Sequence, residues 1–313
     1  MATSVTNGGG KSAWRPASSI LREQLADESH IVVCPGVYDG LTARIALDAG
    51  FKTLYMTGAG TSASVLGSPD LALITLPEMH GNASMIASLD PSVPVVADAD
   101  TGFGGPLSVA RTVKAYINSN IAALHIEDQA MNKRCGHLSN KELVSTDVFV
   151  TRMRAAVMAR AQTGRDIVLI ARTDALQSLG FDEAVARLRA AIDVGADVAF
   201  LEGVLNEQQA KDVCKALAPT PCLVNIVAGG VTPIWSAKEA TSLGFRIMIW
   251  PIISLTAVYN STKQAMAELR DTGTVSPSKD GAGGVRDIFE VCGLKDCASF
   301  DREAGGSAYS SGV

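Results

Sequence analysis

Residues 94–100 read PVVADAD, residues 123–128 read ALHIED and residues 167–173 read IVLIART. Each is a short apolar, β-branched run that ends on charged residues, and stretches of helical periodicity separate them. Five more runs have the same form: IVVCPG (31–36), TLYMTG (53–58), VAFLEG (198–203), CLVNIV (222–227) and IMIWPI (247–252). Runs so continuously apolar are strands buried on both faces, as in a parallel sheet covered by helices. The intervening segments agree. In FDEAVARLRAAIDVGAD, Phe181, Ala184, Val185, Leu188, Ala191 and Ile192 keep to one helical face, Asp182 and Glu183 suit the first turn, and Gly195 marks a stop. DGLTARIALDAG (39–50) likewise ends on Gly50, just before the second strand. Eight strands alternating with helices favour a closed (β/α)8 barrel of the TIM type over an open doubly wound sheet.

The 313 residues fit one barrel plus extensions, since such a barrel takes about 250. The reading divides the chain into an unstructured start (1–16), the barrel (17–272) and a C-terminal extension (273–313). That extension loses periodicity at TVSPSKDGAGG, carries a short helical DIFEVCGL and ends in a disordered GGSAYSSGV. With 47% hydrophobic but only 5% aromatic residues, aliphatic side chains must build the core. A net charge of −5 argues against general attraction to nucleic acid or anionic membranes. The six cysteines are dispersed without a CxxC pair, which suits a reducing compartment. No signal-peptide core and no run of 18 apolar residues is present, so the cytoplasm is the default location, with a mitochondrial presequence left open.

Chemistry on this fold gathers at the carboxyl ends of the strands, and here those ends are polar. Strand three ends in Asp98-Ala99-Asp100, strand four in Glu127-Asp128, strand five in Arg172-Thr173-Asp174, strand six in Glu202 and strand seven in Asn225. Any one of these acids reads equally well as a helix cap or a surface charge. Several converging on one mouth require a cation or proton between them. Asp98, Asp100 and Glu127 offer only oxygen, with no His or Cys that obviously joins them, which favours Mg²⁺ or Mn²⁺ over zinc. Asp98 and Asp100, two apart on a strand, would share one face. The loop after strand three, TGFGGP (101–106), must fold tightly. The loop after strand four, DQAMNKRCGHLSNKEL (128–143), is long enough to be a lid. Cys135 sits in it within Lys133-Arg134-Cys135-Gly136-His137, a setting for acid–base work, though an incidental loop cysteine reads as well. Gly58-Ala59-Gly60-Thr61-Ser62-Ala63 resembles a dinucleotide fingerprint, but no acid ends a strand some twenty residues on, which disfavours a nicotinamide cofactor. Its backbone N–H groups suit a substrate carboxylate instead.

PGVYDGLTARIALDAGF, LYMTGAGTSAS, GSPDLALITLPEM, VPVVADADTGFGGP, HIEDQ, NKRCGH, IARTDA, FLEG and the VN…GGVTP stretch together resemble the isocitrate lyase / phosphoenolpyruvate mutase superfamily over about residues 31–260. DADTGFG with KRCGH is the most specific part. The chain looks closest to the branch of 2-methylisocitrate lyases, 2,3-dimethylmalate lyases and oxaloacetate acetylhydrolases. The resemblance implies a Mg²⁺ shell of Asp98, Asp100 and Glu127, with Asp70 in support. It implies that Tyr55, Thr57, Gly58 and Ala59 hold the carboxylate of an α-hydroxy or α-keto acid, with Tyr55 helping to remove the 2-hydroxyl proton. Arg172 resembles the arginine on the substrate carboxylate. Cys135 resembles the acid that protonates the leaving enolate carbon, with Lys133, Gly136 and His137 on the same gating loop, while Glu202 and Asn225 match further pocket positions. The implied activity is cleavage of a 2-alkylmalate-type dicarboxylate to an α-keto acid and a carboxylate. The alternative is an oxaloacetate acetylhydrolase, which gives oxalate and acetate. Pro251 is similar to the lyases, because the hydrolases resemble this chain but carry serine there. The mutases of phosphonates lack the KRCGH cysteine. The resemblance also implies a last helix swapped between subunits and a homotetramer. Thr57-Gly58-Ala59 departs from the more usual Ser-Gly-Gly and alters the carboxylate pocket.

Overall fold

The structure, a computed structural model, describes residues 14–136, 138, 140–276 and 283–309. The stretch expected to be unstructured at the start and the TVSPSKDGAGG linker lie mostly outside these, as do the last four residues of GGSAYSSGV. Eight strands follow in order: β1 (Val32–Val37), β2 (Leu54–Met56), β3 (Val95–Asp98), β4 (Ala123–Glu127), β5 (Val168–Thr173), β6 (Val198–Leu201), β7 (Cys222–Asn225) and β8 (Ile247–Trp250). All pair in parallel with their sequence neighbours, and β1 closes on β8 with Val32 opposite Ile247. The expected (β/α)8 barrel is therefore the observed one.

The helices are α1 (Ala17–Ala26), α2 (Gly40–Asp48), α3 (Gly58–Leu66), α4 (Leu76–Leu89), α5 (Pro106–Asn118), α6 (Thr146–Thr163), α7 (Leu176–Leu179), α8 (Phe181–Asp193), α9 (Glu207–Leu217), α10 (Ala237–Leu243), α11 (Ile253–Thr272), α12 (Val285–Val291) and α13 (Leu294–Glu303). Their starts follow local chemistry. The Asp39 carboxylate accepts from Thr42 N at 2.8 Å to begin α2, and Ser236 and Glu239 cap α10 reciprocally. The tail holds one helix more than DIFEVCGL suggested, because LKDCASFDRE also closes its turns. None of the described helices is long and apolar enough to cross a membrane.

Strand alternation sorts the side chains into two compartments. Leu54, Met56, Ala97, Leu124 and Ile126 point outward and pack against the helices. Val32, Cys34, Val96, Ala123, Val168, Ile170, Val198, Leu223 and Ile247 point inward and fill the barrel. At the amino-terminal mouth α1 acts as a plug, with Ala17 and Leu21 in the interior cluster. Arg22 on α1 pins it by reaching Asp166 at 2.7 Å and Asp197 at 3.1 Å. The barrel is thus sealed with apolar groups below and left polar above.

Just beneath the polar mouth, Asp128 ties four segments together. It accepts from Thr173 Oγ1 at 2.5 Å and Asp174 N at 2.9 Å, and it pairs with Arg187 of α8 at 3.2 Å. Arg187 also donates to the Val144 carbonyl at 2.8 Å. Asp128 is fully buried and Arg187 nearly so, so removing Asp128 leaves the Arg187 charge with the part-exposed Glu183 at 2.9 Å as its remaining carboxylate among the described residues. Asp128→Ala should therefore lose about 3–5 kcal/mol of stability, read from the urea denaturation midpoint. A loss below about 1 kcal/mol, the scale of a surface pair, would show that water reaches Arg187.

Candidate active site

Following strands β3 to β7 upward by two residues from an interior position reaches a polar group, and following β8 reaches a proline. Val96 leads to Asp98, His125 to Glu127, Ile170 to Arg172, Phe200 to Glu202, Leu223 to Asn225 and Ile249 to Pro251. On β2 the interior position is Tyr55, and the chain turns at Thr57 into α3. Apart from Asn225 and Pro251, the top interior layer of the barrel is thus built of ionisable side chains, and Asp98, Glu127, Arg172 and Glu202 are all 7% exposed or less.

Lys133 and Arg172 hold this layer together. Lys133 Nζ bridges Asp70 Oδ1 at 2.5 Å and Asp100 Oδ1 at 2.6 Å. Arg172 forks onto Asp174 through Nε at 2.9 Å and Nη2 at 3.2 Å, and reaches Glu127 at 3.1 Å and Glu202 at 3.5 Å. Its guanidinium also lies over the Phe200 ring. Asp98 Oδ2 accepts from Gly58 N at 3.3 Å, at the first turn of α3. Gly58 has to be glycine, because a Cβ there would stand 2.5 Å from Asp98 Oδ2.

Two expectations need correction. Asp98 and Asp100 do not lie on one strand face: β3 ends at Asp98, and Asp100 takes a left-handed backbone, φ +46°. That conformation is tolerated by aspartate and is fixed by the bond from Asp100 N to Asp98 Oδ1 at 2.9 Å. The two carboxylates are still brought together. Second, a histidine does join the acids. Asp98 pairs in register with His125, whose Nε2 lies 3.7 Å from Asp98 Oδ1 and 2.8 Å from Tyr55 Oη. His125 was legible from the period of ALHIED, which places it on the same face as Glu127, but in sequence it reads as strand core.

The electrostatics follow from burial. Burial holds the Glu127 carboxyl well above its ordinary range, with Arg172 opposing, and lifts Asp100 to about 7, helped by Asp98 and Asp70. Burial lowers His125 to about 4, so it is neutral at pH 7. Burial also opposes ionisation of Asp98, yet its carboxyl lies below the ordinary range. The His125 ring when protonated, then Lys133 and Arg172, and the bond from Asp100 N draw it down. Burial keeps the Tyr55 phenol far above its usual value, and the Asp98 charge adds to this.

The Lys133 ammonium of the KRCGH sequence goes to Asp70 and Asp100. The loop around Cys135 is instead held by its backbone. Cys135 N donates to the Asp70 carbonyl at 3.1 Å, and Gln129 bonds both N and O of Arg134. Lys141 Nζ donates to the Gly136 carbonyl at 2.7 Å and to Asp174 Oδ1 at 2.9 Å. Gly136 lies so close to Arg172 that a Cβ would stand 2.3 Å from Nη2.

A cavity of about 40 Å³ remains between these groups. Tyr55, Thr57, Ala59, Asp70, Asp98, Cys135, Gly136, Arg172, Glu202, Asn225 and Pro251 of the expected set all line it, joined by Val227 and Ile252. Asp100, Glu127 and Lys133 contact that lining from behind, as Gly58 does through Asp98. His137 lies outside the described residues. A larger hollow of about 630 Å³ lies between α5 and α6, but its lining, from Pro106 to Gln162, has no carboxylate and no reactive group.

Among the described residues no three acids, histidines or cysteines close into a ready ligand cluster, because Lys133 stands between Asp70 and Asp100. The donor chemistry nevertheless fits a hard divalent ion. Among the described residues, Asp100 Oδ1 and both Glu127 carboxylate oxygens are buried without a hydrogen bond and are met by ionic contacts to Lys133 and Arg172. Six carboxylates (Asp70, Asp98, Asp100, Glu127, Asp174, Glu202) face three fixed cations (Lys133, Lys141, Arg172). The shortfall of positive charge and the all-oxygen donors favour Mg²⁺ or Mn²⁺.

Comparison with known proteins agrees with this geometry. The chain is 40% identical to the 2,3-dimethylmalate lyase of Eubacterium barkeri over 269 residues, 86% of this chain and 89% of the relative. It superposes on a solved 2,3-dimethylmalate lyase with a TM-score of 0.92 and 52% identity, covering 96% of this chain and 99% of the other. It matches an oxaloacetate acetylhydrolase in complex with 3,3-difluorooxalacetate as closely, with a TM-score of 0.91, 52% identity, and 94% and 99% coverage. A more distant structure, a phosphonopyruvate hydrolase with oxalate and Mg²⁺, is 26% identical with a TM-score of 0.81 and covers 92% and 99%. Residues 21–270 match the family described as phosphoenolpyruvate phosphomutase, and to that family of the isocitrate lyase / PEP mutase superfamily the chain belongs.

Proposed function

We propose that the protein is a Mg²⁺-dependent carbon–carbon lyase that cleaves a 2-alkylmalate-type acid, 2,3-dimethylmalate or 2-methylisocitrate, to pyruvate and a second carboxylate. One observation carries the reading: the Cys135 thiol, the Arg172 guanidinium and the acids Asp70, Asp98 and Glu202 line one cavity whose wall includes Pro251, with the buried Asp100 and Glu127 behind it.

Asp98, Asp100 and Glu127, with Asp70, would hold the ion, which supplies stabilisation of negative charge on the substrate's 2-oxygen and carboxylate. Arg172, fixed by Asp174, binds a substrate carboxylate, and at the N-terminus of α3 the Ala59 N–H is offered to the same anion, the N–H groups of Thr57 and Gly58 being bonded to the Val37 carbonyl and to Asp98. Tyr55 Oη, held by His125 Nε2 at 2.8 Å, is placed to bond the 2-hydroxyl and to help remove its proton. The C2–C3 bond then breaks as the keto group forms, and its electrons pass into the carboxylate of the departing fragment. Cys135 gives its proton to C3. One proton leaves the hydroxyl and one is delivered to carbon, so the sum is neutral. Lys133 offsets the acids, and Glu202 and Asn225, bonded at 3.0 Å, shape the side opposite the metal acids.

A cavity of about 40 Å³ holds a water or two and not a dicarboxylate. The 128–143 loop must therefore open for entry and close for reaction. The second reading, oxaloacetate hydrolysis, shares every charged group. It requires holding a hydrated ketone, and Pro251 gives that wall no side-chain donor.

The proposal extends to assembly. Of the twenty residues of α11 none is buried, and Ile253, Val258, Tyr259, Met266 and Leu269 face outward. The helix is anchored at its start, where Ser254 Oγ donates to the Gly36 carbonyl at 2.7 Å. A helix that packs on its own barrel through β1 yet leaves these apolar side chains exposed suits exchange with a second copy, giving a homotetramer by helix swapping.

Three outcomes test this reading. Purified protein with Mg²⁺ should release pyruvate from 2,3-dimethylmalate or 2-methylisocitrate, and EDTA should abolish release until Mg²⁺ or Mn²⁺ is restored; a rate indifferent to EDTA refutes the metal role. Cys135→Ser should lower turnover by about 10²–10⁴ with Mn²⁺ binding unchanged by calorimetry; full activity refutes the acid role. Pro251→Ser should raise oxalate release from oxaloacetate and lower alkylmalate cleavage, whereas a parent enzyme that already favours oxalate supports the second reading.

A further inference from the structure

Lys141 is a cation of the mouth that the chemistry above leaves unused. It lies where the 128–143 loop returns toward α6, with its side chain only 3% exposed. Its ammonium makes two bonds to separate parts of the molecule: the Gly136 carbonyl on the loop, and Asp174 Oδ1 at the top of β5. Asp174 is the group that orients Arg172, and its own backbone N–H is fixed by Asp128. Gly136 adjoins Cys135 and lies against Arg172 with no room for a side chain.

Burying an ammonium is unfavourable, and an apolar side chain of equal length would fill the space without that cost. A buried lysine shared between a loop carbonyl and a strand carboxylate does what an apolar residue cannot. It makes the loop's position depend on the group that holds the arginine. Opening the loop would leave both a carbonyl and a carboxylate short of a donor, and closing it satisfies them together.

We propose that Lys141 is a positioning residue, a latch that joins the closed loop at Gly136 to Asp174, so that Cys135 and Arg172 reach the substrate in one movement. Only the activity part of its test rests on the lyase reading.

The test combines loop protection with a double-variant cycle on the full-length enzyme. Hydrogen exchange of the amides from 130 to 136, measured with Mg²⁺ and oxalate, should be faster by roughly tenfold or more in Lys141→Met at an unchanged melting temperature. Equal protection in variant and parent overturns the latch. Lys141→Met should reduce kcat on the order of 10²-fold, the scale of a group misplaced by about 1 Å. Because it acts through Cys135's loop, adding it to Cys135→Ser should cost little more than Cys135→Ser alone, and losses that multiply overturn the proposal. Lys141→Gln reads the same quantities if Lys141→Met does not fold; failure of both assigns the residue to stability and sinks the latch. A parent enzyme that releases neither pyruvate nor oxalate, but loses loop protection on substitution, refutes the lyase reading and upholds the latch.

Discussion

Six carboxylates stand within one barrel mouth, shielded from water, with three fixed cations among them. Charges of one sign so close and so dry cannot all remain ionised without compensation. The carboxyls of Asp100 and Glu127, displaced upward by burial, register that strain on neutrality. The surrounding architecture follows from meeting it. Arg172 is held by three acids at once, the loop after β4 is drawn inward so that Lys133 can reach Asp70 and Asp100, and glycine is required at 58 and 136, where backbone passes against charged side chains. The same imbalance is what the proposed divalent ion would offset. A site made too negative for itself is one in which an enolate is tolerable only beside that added charge.

Much of this was legible from the chain, and the reasons differ by element. The strands were plain because runs such as IVLIART are apolar on both faces and bounded by charge. The mouth was plain because period-two alternation, started from any apolar interior residue, arrives at Asp98, Glu127, Arg172, Glu202 and Asn225. His125 obeyed the same rule but was hidden by its neighbours, since a histidine inside a strand reads as core until its partner strand is known. Asp100 misled in the other direction: spacing of two implied a strand, while the chain has already turned left-handed. Lys141 could not be read at all. Its partners, Gly136 and Asp174, are 5 and 33 residues away, and a lysine after a loop cysteine looks like a solvated charge. The helix of LKDCASFDRE escaped notice because it buries none of its residues.

Stability and chemistry occupy opposite ends of the barrel. At the amino-terminal end α1 brings Leu21 into the interior, and Arg22 clamps the rim through Asp166 and Asp197. At the carboxyl end the interior positions are given over to charge, which an apolar core would fill more stably. Asp128 and Arg187 lie on the boundary and fasten the last strand turns to α8. That rigid shelf lets Asp174 act as an anchor for Arg172 rather than as one more repelling acid.

Resemblance over the whole chain cannot decide between cleaving an alkylmalate and hydrolysing oxaloacetate, because 52% identity is shared with solved examples of each. The physics explains why. Both reactions develop negative charge on an oxygen next to a carboxylate, so both need the acids, Arg172 and the α3 N-terminus, and nearly the whole barrel is common property. They differ in what must be held before bonds break: a tertiary alcohol with an alkyl substituent, or a ketone that has taken up water. That difference falls on the wall formed by Val227, Pro251 and Ile252, the part of the cavity that carries no charge. An apolar wall favours a hydrocarbon branch and gives an added hydroxyl no partner, a mismatch that costs a few kcal/mol in a dry site. Specificity here rests on side chains that take no part in the bond-breaking.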